Sequence, residues 1–196
     1  MGANVALFDL TKFDIESADP DHPGFNIGVG EVESRGLELN LQGELLPQWN
    51  VLVHVESARP IVVAGATGAT ALQPENIAAG QLLPYVSNRT ASVWTSYRVP
   101  QGVLRGFSVG GAEWASAANV LEPASIPTSA HHAVSAFAAY DASLLGYETS
   151  LQVNVDNVTD ERYLLYQADT GVTGGNTLAG TWGAPRQMRV GIRMRY

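Results

Sequence analysis

Apolar residues recur at every second position along much of the chain, in runs bounded by Gly, Pro and Asn, a pattern that predicts half-buried β-strands rather than amphipathic helices. Leu37, Leu39, Leu41 and Leu45 share one parity, with Glu38, Asn40, Gln42 and Glu44 on the other. Near the C-terminus Met188, Val190, Ile192 and Met194 alternate with Arg189, Gly191, Arg193 and Arg195. Eight strands are predicted, over residues 4–16, 30–45, 49–61, 88–99, 104–117, 132–144, 147–156 and 185–196. The fifth carries the weakest pattern, because Gly106, Gly110 and Gly111 interrupt it and neither parity is consistently apolar. Residues 133–142 are Ala-rich enough to read as strand or helix.

The connections alternate in length. Short turns fall at 46–48, 100–103 and 145–146, and long Gly/Pro/Ala/Thr-rich segments at 17–29, 62–87, 118–131 and 157–184. All tight turns then lie at one end of an up-and-down sheet. Loops longer than about 12–15 residues are uncommon in compact soluble domains. Outer-membrane barrels, with short periplasmic turns and long extracellular loops, account for them. Trp49, Tyr97, Tyr147, Tyr163 and Tyr196 fall near strand ends, where interfacial aromatic girdles belong. A soluble β-domain shares the alternation but gives no reason for four long loops on one side.

Composition narrows the chemistry. The 196 residues include no Cys, which removes disulfides and thiolate chemistry. Nineteen Asp+Glu against eleven Lys+Arg, a formal charge of −8, argue against nucleic acid as a partner. No apolar run reaches the roughly 18 residues of a spanning helix. The opening MGANVALFDLTKFD has no secretory-signal pattern, so export is expected to need residues ahead of Met1. His22, His54, His131 and His132 stand in no nucleophile–base–acid spacing, and no catalytic residue is assigned. Adjacent His131 and His132 point to opposite faces of a strand and make a poor metal pair. Asp14, Asp19 and Asp21 are not spaced as a calcium loop, so no metal and no cofactor is expected.

Three stretches then resemble a known family. They are GEVESRGLELNLQGEL at 30–45 with its following turn, LPYVSNRTASVWTSYRVP at 83–100, and 151–196 with NVDNVTDERY and GAPRQMRVGIRMRY. Together they resemble the C-terminal barrel part of TonB-dependent outer-membrane receptors, the importers of ferric siderophores and related nutrients. The resemblance implies an all-β, antiparallel up-and-down transmembrane β-barrel segment, about eight strands of a larger 22-stranded barrel in the bacterial outer membrane. Residues 1–196 would be its C-terminal part, the plug domain and earlier strands being absent. Outer-membrane lipid would be a partner, the TonB complex one only through the missing N-terminal part, and the barrel-assembly machinery one through the terminal aromatic Tyr196. A ferric siderophore would be cargo of the full receptor rather than a cofactor.

On that resemblance, ligand contacts are expected from the long loops, at Tyr85 and at Tyr163, Tyr166, Gln167 and Trp182, whose rings and hydrogen-bonding groups suit a chelate. Packing of loop on loop, or an outer girdle, is the other use for these residues. Asp156, Asn157 and Asp160 in the third stretch read as a strand-to-loop corner that turns the backbone through side-chain hydrogen bonds. Val158–Thr159 departs from the Leu-Phe of many family members. The alternative architecture is a self-contained eight-stranded outer-membrane barrel with a structural or adhesive role. Its narrow lumen would have to hold Arg189, Arg193, Arg195, Glu38, Glu44, Glu56 and Asp156, which in a large barrel line a hydrated wall.

Overall fold

The computed structural model describes residues 1–18, 22, 25–64, 79–80, 82–83, 86–118, 129–144, 146–169 and 178–195. Ten strands lie among them: β1 (Gly2–Ala18), β2 (Asn26–Leu46), β3 (Trp49–Ala64), β4 (Arg89–Arg98), β5 (Phe107–Ser116), β6 (His131–Leu144), β7 (Tyr147–Asp156), β8 (Leu164–Asp169), β9 (Leu178–Trp182) and β10 (Gln187–Arg195). Eight form one antiparallel sheet in the order β1-β2-β3-β4-β5-β6-β7-β10, and β8 pairs with β9 in a separate hairpin. The eight expected strands are therefore found as neighbours in chain order, and the Ala-rich segment is strand β6. The β8–β9 hairpin stands where an irregular connection is expected from the sequence.

Register converts the alternation of each strand into two continuous faces. Val190, Val153, Ala138, Val109, Tyr97 and Trp49 are paired in turn across six strands. The adjacent row runs Arg189, Asn154, Phe137, Gly110, Ser96, Asn50 and Glu44. One face is thus nearly all aliphatic, small or aromatic, and the other mostly polar. Among the described residues no second layer covers the apolar face. Among the described residues the buried hydrophobic ones are only Val32, Val62, Ala133 and Tyr163, whereas Leu39, Val55, Val93 and Leu151 are exposed. A soluble sandwich would bury those positions. Here they form the lipid-facing wall, and the polar face lines the pore.

The sheet is open. Among the described residues β1 and β10 do not pair with each other, and their outward side chains stand free, with Leu7 82% and Ile192 70% exposed against 37% for Leu39 on an inner strand. Closure into an eight-stranded barrel is not what the sheet does.

Tight turns at one end follow from local chemistry. Gln48, at φ 67°, closes the β2–β3 turn, and its N–H donates to the Glu44 carboxylate. The β4–β5 connection is a turn up to Gly106, which shortens the expected fifth strand to begin at Phe107. Gly106 adopts φ 89°, its N–H donates to the Val99 carbonyl and its carbonyl accepts from the Asp141 N–H of β6. A Cβ there would meet the Asp141 carbonyl oxygen at 2.3 Å. Gly106→Ala is therefore expected to cost roughly 2–3 kcal/mol, combining left-handed strain with displacement of β6. Denaturant unfolding in detergent against Gly102→Ala, a second left-handed glycine with open space around it, separates the two causes.

Candidate functional site

The pore-facing wall carries small polar networks. His54 Nδ1 lies 2.8 Å from Asn40 Oδ1, and Asn40 Nδ2 donates to Glu38 at 2.6 Å. Glu38 and Glu56 flank the same imidazole at 3.8 and 4.0 Å. Arg98 pairs with Asp141 at 2.9 Å and Arg189 with Asp156 at 2.7 Å. All these groups are substantially exposed, so each pair adds little stability; their effect is to keep the wall hydrated. At the tight-turn end, a recess of ≈ 950 Å³ is lined by Arg98, Arg105, Asp141, Glu148, Arg193 and Arg195 among others. No three His, Asp or Glu side chains among the described residues are grouped to hold a metal ion.

At the long-loop end the wall is capped by a fixed corner. Asn157 is 4% exposed and has φ 51°. Its Nδ2 donates to the carbonyls of Glu161 (2.9 Å) and Ala184 (3.0 Å), while Oδ1 accepts from the Glu161 N–H (3.0 Å). Asp160, also left-handed at φ 53°, accepts from the Arg186 N–H at 2.9 Å. These bonds join residues that leave β7 to residues that enter β10, so the two ends of the last long connection are fastened together. The corner expected from NVDNVTDERY is present, and it works by side-chain hydrogen bonds to backbone on both limbs.

An aromatic cluster sits inside this corner. Trp114 of β5 and His131 of β6 lie on the pore-facing parity. Tyr163 stacks on His131, with centroids 4.6 Å apart and planes at 10°, and Trp114 meets both rings edge-on at 5.2 and 5.6 Å. The Gly183 N–H donates to the Tyr163 carbonyl, and a Cβ on Gly183 would strike the Tyr163 ring. His131 Nδ1 is 3.1 Å from the Ser129 carbonyl, and its Nε2 is buried with no hydrogen-bond partner among the described residues. His132 points the other way and approaches Glu161 at 3.5 Å, so the adjacent histidines do diverge.

Of the site residues expected from the sequence, Tyr163 is 8% exposed and belongs to this buried cluster. It therefore packs against the pore wall rather than standing in an outer girdle. Tyr166 and Gln167 lie on β8, paired with Thr181 and Gly180 of β9. Trp182 ends β9 at 63% exposure. Tyr85 and Tyr196 lie outside the described residues. Trp114 escaped the sequence reading, and His131 was weighed there only as a metal ligand; a Trp on the pore-facing parity of β5 was the available signal.

The profile of the TonB dependent receptor-like, beta-barrel family matches residues 1–158. The chain belongs to that family. Among relatives, the metal-pseudopaline receptor CntO of Pseudomonas aeruginosa is 28% identical over all of this chain and 25% of its own length. The ferrichrome outer membrane transporter/phage receptor of Escherichia coli is 26% identical, over 97% of this chain and 24% of its own. The siderophore receptor PiuA of Acinetobacter baumannii superposes with a TM-score of 0.73 over 97% of this chain and 25% of that one, at 22% identity. This chain therefore spans about a quarter of the relatives it matches. As a TonB-dependent receptor barrel segment it lies in the outer membrane.

Proposed function

We propose that the chain forms part of the wall and the extracellular rim of an importer that carries a ferric siderophore or a related metal chelate across the outer membrane. The observation that supports this best is the open sheet itself, lipid-facing on one side and hydrated on the other, in a chain of this family. Unpaired edges in hydrocarbon cost several kcal/mol per group, so β1 and β10 pair with further strands of a larger barrel rather than with each other. Energy comes from TonB acting on parts of the receptor outside this sequence. The segment has no catalytic role and no cofactor; the chelate is cargo. Tyr166, Gln167 and Trp182, held together on the β8–β9 hairpin, with Tyr85 from another loop, offer rings and hydrogen-bonding groups to it. Tyr196 serves as the aromatic end read by the assembly machinery.

Uptake of radiolabelled iron by source cells under iron limitation tests the reading, using a panel of hydroxamate, catecholate and mixed chelates. Deleting the receptor is expected to abolish uptake of at least one chelate. Replacing Tyr166, Gln167 and Trp182 together by Ala is expected to weaken that chelate's binding by roughly tenfold or more, at about 0.5–1.5 kcal/mol per contact. Unchanged uptake of every chelate after deletion would refute the importer.

A further inference from the structure

Three arginines lie side by side on the outward face at the upper limit of its apolar band. On β3 the outward positions are Trp49, Val51, Val53, Val55, Ser57 and then Arg59. At about 3.3 Å per residue and a tilt near 40°, Arg59 stands about 25 Å above Trp49, the full height of a barrel's hydrocarbon band. Arg35 of β2 is directly opposite it, and Arg89 of β4 is directly opposite Ser57. Three adjacent strands thus present guanidinium groups at one level, on the side of the long loops.

Their partners differ. Arg35 pairs with Asp9 at 3.0 Å and with Glu33. Arg59 and Arg89 are exposed, and their side chains make no ion pair or hydrogen bond among the described residues. Asp9 and Glu33 share this face but are engaged by Arg35, so Arg59 and Arg89, like charges diagonally opposite across β3 and β4, repel each other with no carboxylate among the described residues bound to either. Further strands joined at β1 and β10 cannot cover β2–β4, and whatever fills the pore lies on the opposite face. What meets this surface is the polar zone of the outer leaflet. The planar fork of arginine matches phosphate oxygens bidentately.

We propose that Arg59 and Arg89 form a binding site for the phosphate headgroup of an outer-leaflet lipid, with Arg35, fixed by its two carboxylates, as the site's flank. The site is independent of the imported chelate. Its oxygen ligand sits at the border of the hydrocarbon band, and its acyl chains run down the outward face over Val55, Ala91 and Val93.

Native mass spectrometry of the receptor, released from nanodiscs holding phosphatidic acid or phosphatidylcholine at equal density, tests this. The wild type is expected to retain phosphatidic acid selectively. Arg59→Gln with Arg89→Gln is expected to weaken retention about thirtyfold, at about 1 kcal/mol per arginine near an anionic surface. Arg59→Lys with Arg89→Lys keeps the charge but loses the bidentate fork and is expected to bind more weakly than the wild type and more tightly than the double Gln variant, and Arg193→Gln, on the pore face, to leave binding unchanged. Heat-modifiable migration on gels checks that each variant is folded. Equal retention of both lipids by the wild type would overturn the site without recourse to any variant. So would a folded double Gln variant that holds phosphatidic acid as well as the wild type.

Discussion

Replacing Asn157 by Gly is expected to lower the stability of the folded wall by about 3 kcal/mol and to open the last extracellular connection to protease. The substitution keeps the left-handed backbone at φ 51°, so it removes the side chain's bonds without adding strain. Lost are two donations, to the carbonyls of Glu161 and Ala184, and one acceptance, from the Glu161 N–H. Each buried bond contributes about 1 kcal/mol, and groups left unpaired in a site 4% exposed lose more. Asn157→Ala should cost roughly 1–2 kcal/mol beyond this, because Ala resists the left-handed region. Thr159→Ala, which removes one long contact of 3.4 Å, is expected to change stability by less than about 0.5 kcal/mol. Unfolding in urea with the receptor in detergent, and limited proteolysis in the β8–β9 hairpin, measure the two effects. Wild-type values for Asn157→Gly would show that the corner does not fasten the loop.

That corner also shows where sequence reading succeeds and where it stops. Strand β7 spans the residues expected for it, because its alternation is unbroken and its ends are set by Gly146 and Asn157. Strand β5 was harder for physical reasons. Gly106 belongs to the turn, Gly110 leaves room for Phe137 beneath the Trp94–Phe137 stack, and Glu113 interrupts the outward parity between Val93 and Val134. Hairpin β8–β9 is short and flanked by Gly- and Thr-rich sequence, so it offers no period to read. The aromatic cluster depends on register: Trp114 and Ala133 are paired, and only that pairing sets Trp114 beside His131 and under Tyr163. Cross-strand register is a property of two segments together. Single-strand patterns establish which residues share a face, but not which of them touch.

Face assignment can be tested at one peptide bond. Val53→Arg is expected to destabilise the inserted barrel by about 2–4 kcal/mol, the cost of a cation at mid-height on the lipid side. Val53 lies in the outward row between Leu41 and Val93, with one apolar position above it (Val55) and one below it (Val51) on its own strand before Ser57 and Trp49. Leu52→Arg, one residue earlier, is expected to cost no more than about 1 kcal/mol, since Leu52 points into the pore beside Gln42 and Trp94 and a guanidinium there remains in water. Both substitutions add the same charge and similar volume to the same strand, so β-propensity and net charge cancel in the comparison. Folded fraction after urea titration in lipid vesicles is the readout. A reversed order would place lipid on the polar face and invert the barrel wall. Equal costs would mean that the sheet has water on both sides, and the membrane assignment would fall with it.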